Sequence, residues 1–352
     1  MPKSKIRIGV IGAGKITRER HLPRFAAIPG VEISAVCNLS AESTRRVADA
    51  FDIPTCHTRW RDVIDDERVD AVLIGAWPSL HCEATCAALE AGKHVLTQAR
   101  MAMNLDEAQR MLATAERHRS LVAQIVPSPY GLLCGPAVTR LIDDGFLGTL
   151  RELVVIGVDN SMWDYSRPLH WRQEESKSGR NVLSLGILHE TVLRWTAQPT
   201  QVFAQSKVFE PARPVPEQCR VAEVTVPDSV QVLTQLPDGG RGIYHLSGVT
   251  LFGPGKQIHL YGSRGTIRLI FHPDGREQVS VGYACDSELQ DVTIPDEQLG
   301  RWRVEEDFVR SIQTGEPPRL TDFASGVEYM EFVEAVARSA ERNAAVTLPL
   351  AN

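Results

Sequence analysis

Two glycines near the start of the chain, Gly12 and Gly14, lie in the segment GVIGAGKIT, between a short apolar run and a helix-like stretch. Glycine at the first position permits a tight turn, and glycine at the second lets the backbone approach a bulky anion. The amides of Lys15 and Ile16 would open the following helix and could bind a diphosphate there. Thr17 stands where the fingerprint usually has a third glycine. The strand–turn–helix context predicts a dinucleotide site for NAD or NADP.

The end of the second apolar run bears on the choice between the two cofactors. An acidic residue there usually binds the ribose hydroxyls of NAD, but this chain has Asn38. Asn38 lacks the charge that excludes the NADP phosphate, while Leu39 supplies no arginine to bind it, and Arg45 and Arg46 lie farther along. We expect NAD or NADP, with NAD favoured. The alternative is that Asn38 only caps a turn.

The elements that must position this site alternate regularly over residues 1–126. Strand-like apolar runs occupy 6–11, 31–37, 70–76, 94–96 and 121–126. Helix-like segments at 16–28, 41–51, 80–91 and 105–118 separate them. The pattern predicts an α/β Rossmann domain with a parallel sheet covered on both faces.

From residue 127 the apolar pattern changes to a period of two. After one helix near 134–144, strands are expected at 149–159, 201–209, 220–226, 229–236, 241–248, 256–262, 265–271 and 278–283. A helical insertion near 184–196 and a helical end from 302 to 342 complete the chain. The sequence predicts a second, α+β domain at 127–352 with an open, mostly antiparallel sheet. Its C-terminal helix is a candidate to pack back on the first domain.

Composition excludes several classes of partner. A net charge of −6 and a pI near 6.0 argue against nucleic-acid binding. No apolar run reaches the ~18 residues of a membrane helix, and MPKSKIRIGV lacks the pattern of a signal peptide, so we expect a cytoplasmic protein. Seven scattered cysteines without CxxC pairs indicate reduced thiols and no metal site.

Several ordered motifs together resemble the Gfo/Idh/MocA family, named for glucose–fructose oxidoreductase and inositol dehydrogenase. They are GVIGAGKI (9–16), DAVLIGAWPSLHCEATCAALEAGKHVL (70–96), NLDEA (104–108), GFLGTLREL (145–153), PLHWR (168–172), LGILHETVLRW (185–195), IHLYGSRGTIRL (258–269) and SGVEYMEFVEAVARSAERNAAVTLP (325–349). The resemblance implies hydride transfer between NAD(P) and a hydroxyl or carbonyl carbon of a sugar, a cyclitol or a related small molecule. It also implies a homodimer or homotetramer formed through the open sheet.

The chain departs from the family where catalytic residues are expected. The family's Glu-Lys-Pro is replaced by Gln98, Ala99 and Arg100. The family's Asp-x-Gly-x-His-x-x-Asp pattern reads Ser184, Gly186, Leu188 and Thr191, so leucine replaces the usual acid/base histidine. Alanine and leucine cannot transfer a proton. The expected reaction therefore needs relocated acid/base groups.

Nearby residues are the candidates for the missing roles. Proton transfer is expected from His189, Glu190, Tyr165 or His170; His189 and Glu190 are helix neighbours, so only one should face the site. Substrate contacts are expected from Arg100, Gln98, Asn181, Trp163, Trp171 and Tyr130. Besides the glycine turn and Asn38, cofactor contacts are expected from Trp77, Pro78, His81 and Gln98.

Three functions fit these observations. The first is an NAD(P)-dependent oxidoreductase acting on a sugar-like or cyclic polyol. The second is a redox-neutral enzyme that retains NAD, such as a lyase, hydrolase or epimerase. The third is a non-catalytic nucleotide-binding protein, which the loss of three family groups favours.

Overall fold

The computed structural model describes residues 5–351, which form two compact units. Unit 1 contains the described residues up to Pro127 together with Arg303–Val327. Unit 2 contains Ser128–Trp302 and the described residues from Glu328 onward. The domain bounds 1–126 and 127–352 stay a prediction.

A six-stranded sheet forms the centre of unit 1, in the order β3-β2-β1-β4-β5-β6 with every neighbouring pair parallel. Its strands are β1 (Ile6–Ile11), β2 (Val31–Cys37), β3 (Thr55–Cys56), β4 (Ala71–Ile74), β5 (His94–Thr97) and β6 (Ala123–Ile125). All four residues of β4 are buried, as expected for a parallel strand covered on both faces. This arrangement confirms the predicted Rossmann fold.

Helices follow the strands of this sheet. They are a π-helix (Thr17–His21), α1 (Leu22–Ala26), α2 (Ala41–Ala50), α3 (Trp60–Asp65), α4 (Pro78–Glu90) and α5 (Leu105–Arg117). Ser40 caps α2 by accepting a hydrogen bond from the Ser43 amide at 3.2 Å, and Asn104 caps α5 through the Glu107 amide at 2.9 Å. The expected regular helix at 16–28 is instead a π-helix that continues into a short α-helix.

Unit 2 is built on a nine-stranded mixed sheet in the order β16-β15-β14-β13-β7-β12-β11-β8-β17. Its first strands are β7 (Leu150–Val158) and β8 (Gln201–Lys207), and β9 (Ala212–Val215) and β10 (Arg220–Glu223) form a separate hairpin. The remaining strands are β11 (Ser229–Gln235), β12 (Arg241–Ser247), β13 (Lys256–Gly262), β14 (Gly265–Phe271), β15 (Glu277–Tyr283), β16 (Gln290–Asp291) and β17 (Val346–Thr347). Only β7 and β12 pair in parallel, which confirms the mostly antiparallel sheet.

Three helices of unit 2 precede β8: α6 (Gly135–Asp143), α7 (Glu175–Ser178) and α8 (Leu185–Leu193). The core lies on one face of the sheet, where buried residues of alternate strand positions meet α8 and the later part of the C-terminal helix. On β11, Val230 and Val232 are 1% exposed, whereas Leu233 is 55% exposed. One face of the sheet therefore stays open in the single chain.

The structure refines two sequence expectations for this region. The segment expected as a strand at 220–226 is a strand only over Arg220–Glu223, because it pairs with its immediate neighbour β9 rather than joining the large sheet. The helical end at 302–342 is two helices, α9 (Val304–Thr314) and α10 (Phe323–Arg342). Gly315 ends α9 with a φ of 74°, and Pro317 and Pro318 follow it.

Candidate functional site

A cleft of about 660 Å³ opens in unit 1 at the carboxyl ends of β1, β2 and β4. Ligands of parallel α/β sheets bind at this edge. Its lining includes Gly12, Ala13, Gly14, Asn38, Leu39, Ser43, Thr58, Arg59, Trp60, Arg61, Gly75, Ala76, Trp77, Ser79 and Leu80. The sequence predicted the glycine turn, Asn38 and Trp77 for this place, and the structure brings them together.

The two glycines of the turn are needed for different reasons. Gly12 has a φ of 84°, and a Cβ there would lie 2.5 Å from the Ala76 amide nitrogen. The fold of unit 1 therefore requires glycine at position 12, independently of any ligand. A Cβ at Gly14 would meet only the Gly75 carbonyl oxygen, at 3.9 Å. No protein atom excludes a side chain from Gly14, which leaves space beside the backbone for a ligand.

Thr17 occupies the place of the usual third glycine without blocking the turn. Its side chain is buried, and its hydroxyl donates to the Gly12 carbonyl at 3.3 Å. The room comes from Gly75, where a Cβ would lie 2.3 Å from the Thr17 hydroxyl. A glycine at the end of β4 thus compensates for the missing glycine in the fingerprint.

Asn38 holds the glycine turn in place. Its side-chain oxygen accepts a hydrogen bond from the Ala13 amide at 2.6 Å, and its side-chain amide donates to the Ser43 carbonyl at 3.2 Å. Asn38 therefore links β2 to the turn while it lines the cleft. The hydrogen bonds of Asn38 fit the expected role of capping a turn, and its position in the lining fits the expected role at the cofactor cleft.

Sequence reasoning missed the cationic edge of the cleft, Arg59 and Arg61. The Arg59 guanidinium donates to Asp62 at 2.5 Å, and Arg61 donates to Glu83 at 2.5 Å. Both arginines come shortly after β3, whose two residues are too few to show a strand pattern. The only available signal was the density of charge around Trp60.

The other expected cofactor residues differ in their exposure. Lys15 and Ile16 are exposed in the first helical turn, and Pro78 is buried as the first residue of α4. His81 is buried, with Nδ1 2.9 Å from the Arg100 carbonyl and Nε2 3.0 Å from the Ala76 carbonyl. His81 thus joins the two loops that follow β4 and β5 instead of presenting its ring to the cleft.

Gln98 ends a buried polar chain that the sequence did not reveal. Its side-chain nitrogen lies 2.5 Å from Nε2 of His21, and Nδ1 of His21 lies 2.5 Å from the Glu305 carboxylate. His21 and Glu305 have no exposed side-chain surface. The simplest hydrogen-bond assignment has Nδ1–H donating to Glu305 and Nε2 accepting from Gln98. The two hydrogen bonds of His21 thereby fix the orientation of the Gln98 side chain. Arg100, two residues on, is 7% exposed.

His189 lies inside unit 2 and is fully buried. Its Nδ1 is 2.8 Å from the Tyr244 hydroxyl, its Nε2 is 2.7 Å from the Gln198 side-chain oxygen, and its ring stacks on Phe332 at 3.6 Å. Burial lowers the pKa of His189 to about 3. These are the contacts of a neutral packing residue, contrary to the expectation of an accessible acid/base group.

Glu190 and Asn181 also have structural contacts. Glu190 accepts a hydrogen bond from the Ser128 amide at 2.5 Å and pairs with Arg194 at 2.8 Å. Asn181 is 1% exposed, and its side-chain oxygen accepts from the Gly186 amide at 3.0 Å in the first turn of α8. Glu190 therefore anchors the loop after residue 127, and Asn181 caps α8.

The remaining candidates of unit 2 lie on loops. Trp163 and Tyr165 are 50% and 68% exposed, on a turn whose Met162 and Asp164 carbonyls accept from the Arg213 guanidinium. His170 caps a 3₁₀ turn, accepting from the Arg172 amide at 3.2 Å. Trp171 lies under the Arg172 guanidinium at 4.3 Å, and Tyr130 packs on Phe271 at 5.2 Å.

The described residues show neither a metal site nor a membrane span. Among residues 5–351, no three His, Cys, Asp or Glu side chains cluster so that they could hold a metal ion. None of the helices within that range is long and apolar enough to cross a bilayer. Fold and cleft together define the class of a dinucleotide-binding, Rossmann-fold protein.

The chain belongs to the Gfo/Idh/MocA family of NAD-binding oxidoreductases. Residues 6–125 match the family described as "Oxidoreductase family, NAD-binding Rossmann fold", and residues 137–268 match the "GFO/IDH/MocA C-terminal domain". These matches confirm the family, the two-part fold and the NAD-type cofactor predicted from the sequence.

Named relatives include a levoglucosan dehydrogenase of Pseudarthrobacter phenanthrenivorans, 25% identical over 80% of this chain and 77% of that protein. An inositol 2-dehydrogenase of Klebsiella pneumoniae is 33% identical over 41% of this chain and 43% of its own. The solved structure of a levoglucosan dehydrogenase in complex with NADH and L-sorbose has a TM-score of 0.85, at 21% identity over 99% of this chain and 100% of that one.

Proposed function

We propose that this chain is an NAD(P)-dependent enzyme that transfers a hydride between the cofactor and a hydroxyl or carbonyl carbon of a small, sugar-like or cyclic polyol. The observation that carries the proposal is the space beside Gly14, at a helix start within a cleft of about 660 Å³. The relatives named for inositol and levoglucosan support the substrate class, since both are small cyclic molecules rich in hydroxyl groups.

The residues of the cleft fit a dinucleotide. Backbone amides at Gly14 and at the start of the helix would bind the diphosphate, and Asn38 would adjoin the adenosine ribose. Trp77 would border the diphosphate and the nicotinamide ribose from the end of β4. When bound, the nicotinamide supplies the hydride acceptor or donor.

Gln98 is proposed to contact the nicotinamide end of the cofactor or the substrate from the end of β5. Because His21 and Glu305 fix its side-chain nitrogen, its amide is already oriented before ligand binds. An oriented hydrogen-bonding group needs less reorganisation than a mobile one. Gln98 therefore takes over part of the role of the missing lysine, namely positioning, although it cannot transfer a proton.

Proton transfer must come from another group, because Ala99 and Leu188 replace the family residues. His189 and Glu190 are committed to buried contacts, so we propose that they are structural. Of the four residues that the sequence suggests for this role, Tyr165 and His170 remain candidates for the proton donor or acceptor. Both are exposed, Tyr165 at 68%.

Initial-rate assays test this function directly. The protein with NAD⁺ or NADP⁺ is incubated with a panel of cyclitols, aldoses, ketoses and anhydro sugars, and reduced cofactor is followed by its near-ultraviolet absorbance. A Gly14→Asp variant, which puts a carboxylate beside the diphosphate, is the cofactor-blocked control. The proposal expects reduced cofactor to accumulate with at least one polyol. Substrate turnover without reduced cofactor, or tight cofactor binding without turnover, would contradict it in favour of the redox-neutral or the binding function.

We further propose that the open face of the large sheet binds a second copy of this chain. An apolar row crosses four adjacent strands there in register, with Phe203 opposite Leu233, Leu233 opposite Ile243 and Ile243 opposite Val154. Leu233 and Ile243 are 55% and 49% exposed. Arg241 and Glu152, of opposite charge, stand side by side next to this row. A two-fold copy can pair such charges reciprocally while it covers the row.

The oligomeric state tests this interface. Light scattering after gel filtration is expected to give a dimer or tetramer mass for the wild-type chain and a monomer mass for Leu233→Glu/Ile243→Glu. A matched control, Leu251→Glu, changes an exposed leucine outside the row. A monomeric wild type, or a double variant with unchanged mass, would exclude the interface.

A further inference from the structure

A buried arginine of unit 2 has a charge that no carboxylate balances. Arg213 lies on β9 and is 2% exposed. Within residues 5–351, its guanidinium donates to two backbone carbonyls, those of Met162 and Asp164, and pairs with no acidic side chain. Its Nε is buried without a hydrogen-bond partner in the same range. Burying a charge without an opposite charge is costly, so stability alone is a poor explanation for Arg213.

The two carbonyls lie on either side of Trp163, in the turn that leads to Tyr165. Met162 and Asp164 are partly buried, whereas Trp163 and Tyr165 are 50% and 68% exposed. The planar fork of Arg213 therefore fixes the backbone while both aromatic side chains stay accessible to a ligand. Tyr165 is one of the two candidates for proton transfer, so its placement bears directly on the proposed reaction.

Other contacts of this turn are local or come from the end of β12. The Met162 amide donates to the Gly248 carbonyl at 2.7 Å. The Asp164 carboxylate accepts from the Ser166 amide at 3.0 Å. These bonds shape the turn, and Arg213 attaches its Asp164 side to the hairpin of β9 and β10.

The same hairpin holds the next turn of the loop. The Pro214 carbonyl accepts from the Leu169 amide at 2.9 Å, and His170, the other candidate for proton transfer, follows directly. β9 and β10 form a two-stranded sheet of their own, apart from the large sheet. Two consecutive residues of this hairpin, Arg213 and Pro214, thus hold the loop at two points, and the guanidinium holds the side of Tyr165.

We propose that Arg213 is a positioning residue, which holds Tyr165 where it can exchange a proton with the substrate. The proposal rests on the hydride transfer proposed above, and it makes Tyr165 rather than His170 the group that carries the proton. When an alcohol is oxidised, its hydroxyl proton goes to the Tyr165 phenolate oxygen and its C–H hydride goes to the cofactor.

Arg213 acts on this step only through the backbone of the turn, because its own side chain is buried. Its rigid fork fits two carbonyls at once, whereas a lysine ammonium has no such fixed geometry. Displacing a reacting group by about 1 Å can cost about 100-fold in rate, so the loss of Arg213 should appear in kcat.

Hydrogen exchange tests the attachment without any assumption about the reaction. Arg213→Met keeps a long side chain but removes both donors, and Arg220→Met makes the same change on β10, where Arg220 is exposed. In Arg213→Met, the amides of residues 159–173, including those of Met162 and Ser166, are expected to exchange about tenfold faster. Arg220→Met should leave them at the wild-type rate. Unchanged exchange in Arg213→Met would overturn the proposal.

Steady-state kinetics test the consequence for turnover. With a polyol that the wild type oxidises, Arg213→Met is expected to lower kcat about 100-fold while the Kd for NADH stays within about twofold, and Arg220→Met should keep the wild-type values. Arg213→Lys keeps the charge but not the fork, so it should lower kcat about tenfold. Unchanged kcat in Arg213→Met, or in Arg213→Lys if the methionine variant does not fold, would contradict the proposal. A wild type that turns over no polyol contradicts the proposed function itself, before any variant is compared, and removes this proposal with it.

A double-mutant cycle distinguishes positioning from a general structural role. If Arg213 acts through Tyr165, Arg213→Met should lower kcat by less than about threefold in a Tyr165→Phe background. A merely structural arginine would cost the same factor in both backgrounds, and that result would refute the assignment. Tyr165→Phe with the wild-type kcat would refute it as well, because Tyr165 would then carry no proton.

Discussion

Replacing Gly14 by alanine is expected to separate ligand binding from folding in unit 1. The added Cβ would meet only the Gly75 carbonyl oxygen, at 3.9 Å, so the fold has room for it. The φ of Gly14 lies outside the left-handed range, so alanine introduces no backbone strain. The thermal midpoint should stay unchanged or rise slightly, since alanine restricts the unfolded chain more than glycine does.

The same methyl group would prevent the backbone from approaching a diphosphate. Losing one charge-assisted hydrogen bond costs about 1.5–3 kcal/mol, which corresponds to about a 10- to 150-fold weaker Kd for NADH. Fluorescence titration with NADH gives the Kd, and differential scanning calorimetry gives the midpoint.

A matched control is available in unit 2. Gly135 opens α6, and a Cβ there would meet no atom within 4 Å, so Gly135→Ala repeats the chemical change outside the cleft. The control should bind NADH like the wild type. An NADH affinity of Gly14→Ala within twofold of the wild type, with the same midpoint, would refute the assignment of Gly14 to the diphosphate.

Four further substitutions test other residues of the two units. Gly12→Ala forces a Cβ to 2.5 Å from a backbone nitrogen. Calorimetry should therefore show a loss of about 1–3 kcal/mol in the free energy of unfolding, as well as weaker NADH binding. Unchanged stability would contradict the requirement for glycine at position 12. Asn38→Asp keeps the acceptor for the Ala13 amide but adds the charge that repels the NADP phosphate. The ratio of NAD affinity to NADP affinity should therefore rise about tenfold. An unchanged ratio would mean that the adenosine ribose binds elsewhere. Glu305→Gln should lower kcat/KM about tenfold while NADH affinity stays within twofold, because the buried chain no longer orients Gln98. An unchanged kcat/KM would leave His21 and Glu305 without a role in positioning Gln98. His189 is buried and neutral and binds its proton only near pH 3, whereas the unfolded imidazole binds one near pH 6.5, so the free energy of unfolding should fall by up to about 5 kcal/mol as pH falls through that interval. Urea titrations at several pH values should show that the free energy of unfolding of His189→Gln depends less steeply on pH than that of the wild type. The same pH dependence in both proteins would contradict this prediction.

The sequence predicted those strands of unit 1 that consist of an uninterrupted apolar run. Buried runs such as 6–11 and 31–37 became β1 and β2 with the expected bounds, because a parallel strand covered on both faces needs an uninterrupted apolar run. The two-residue β3 has no such run and was missed. The break between α9 and α10 had its signal in Gly315 and two prolines, but the helical pattern on each side obscured it.

The site was less predictable, because its contacts join residues far apart in sequence. Gly75 makes room for Thr17 from 58 positions away, and Glu305 reaches His21 across 284. The roles of His189 and Glu190 depended on which face of α8 meets the sheet, and a helix apolar on most sides gives no such information. The sequence did place the glycine turn, whose chemistry is local, and Asn38 and Trp77, each of which follows the end of a strand, at the cleft.

The most direct test of the central claim is calorimetric titration of nucleotide-free protein with NADH. Binding at the Gly12–Gly14 turn predicts one saturable site per chain, with a Kd in the micromolar range or tighter, that Gly14→Asp abolishes while its melting midpoint stays near the wild-type value. If the wild-type chain releases or absorbs no heat of binding with NADH, NAD⁺, NADPH or NADP⁺, and equilibrium dialysis likewise detects no binding, the dinucleotide site does not exist.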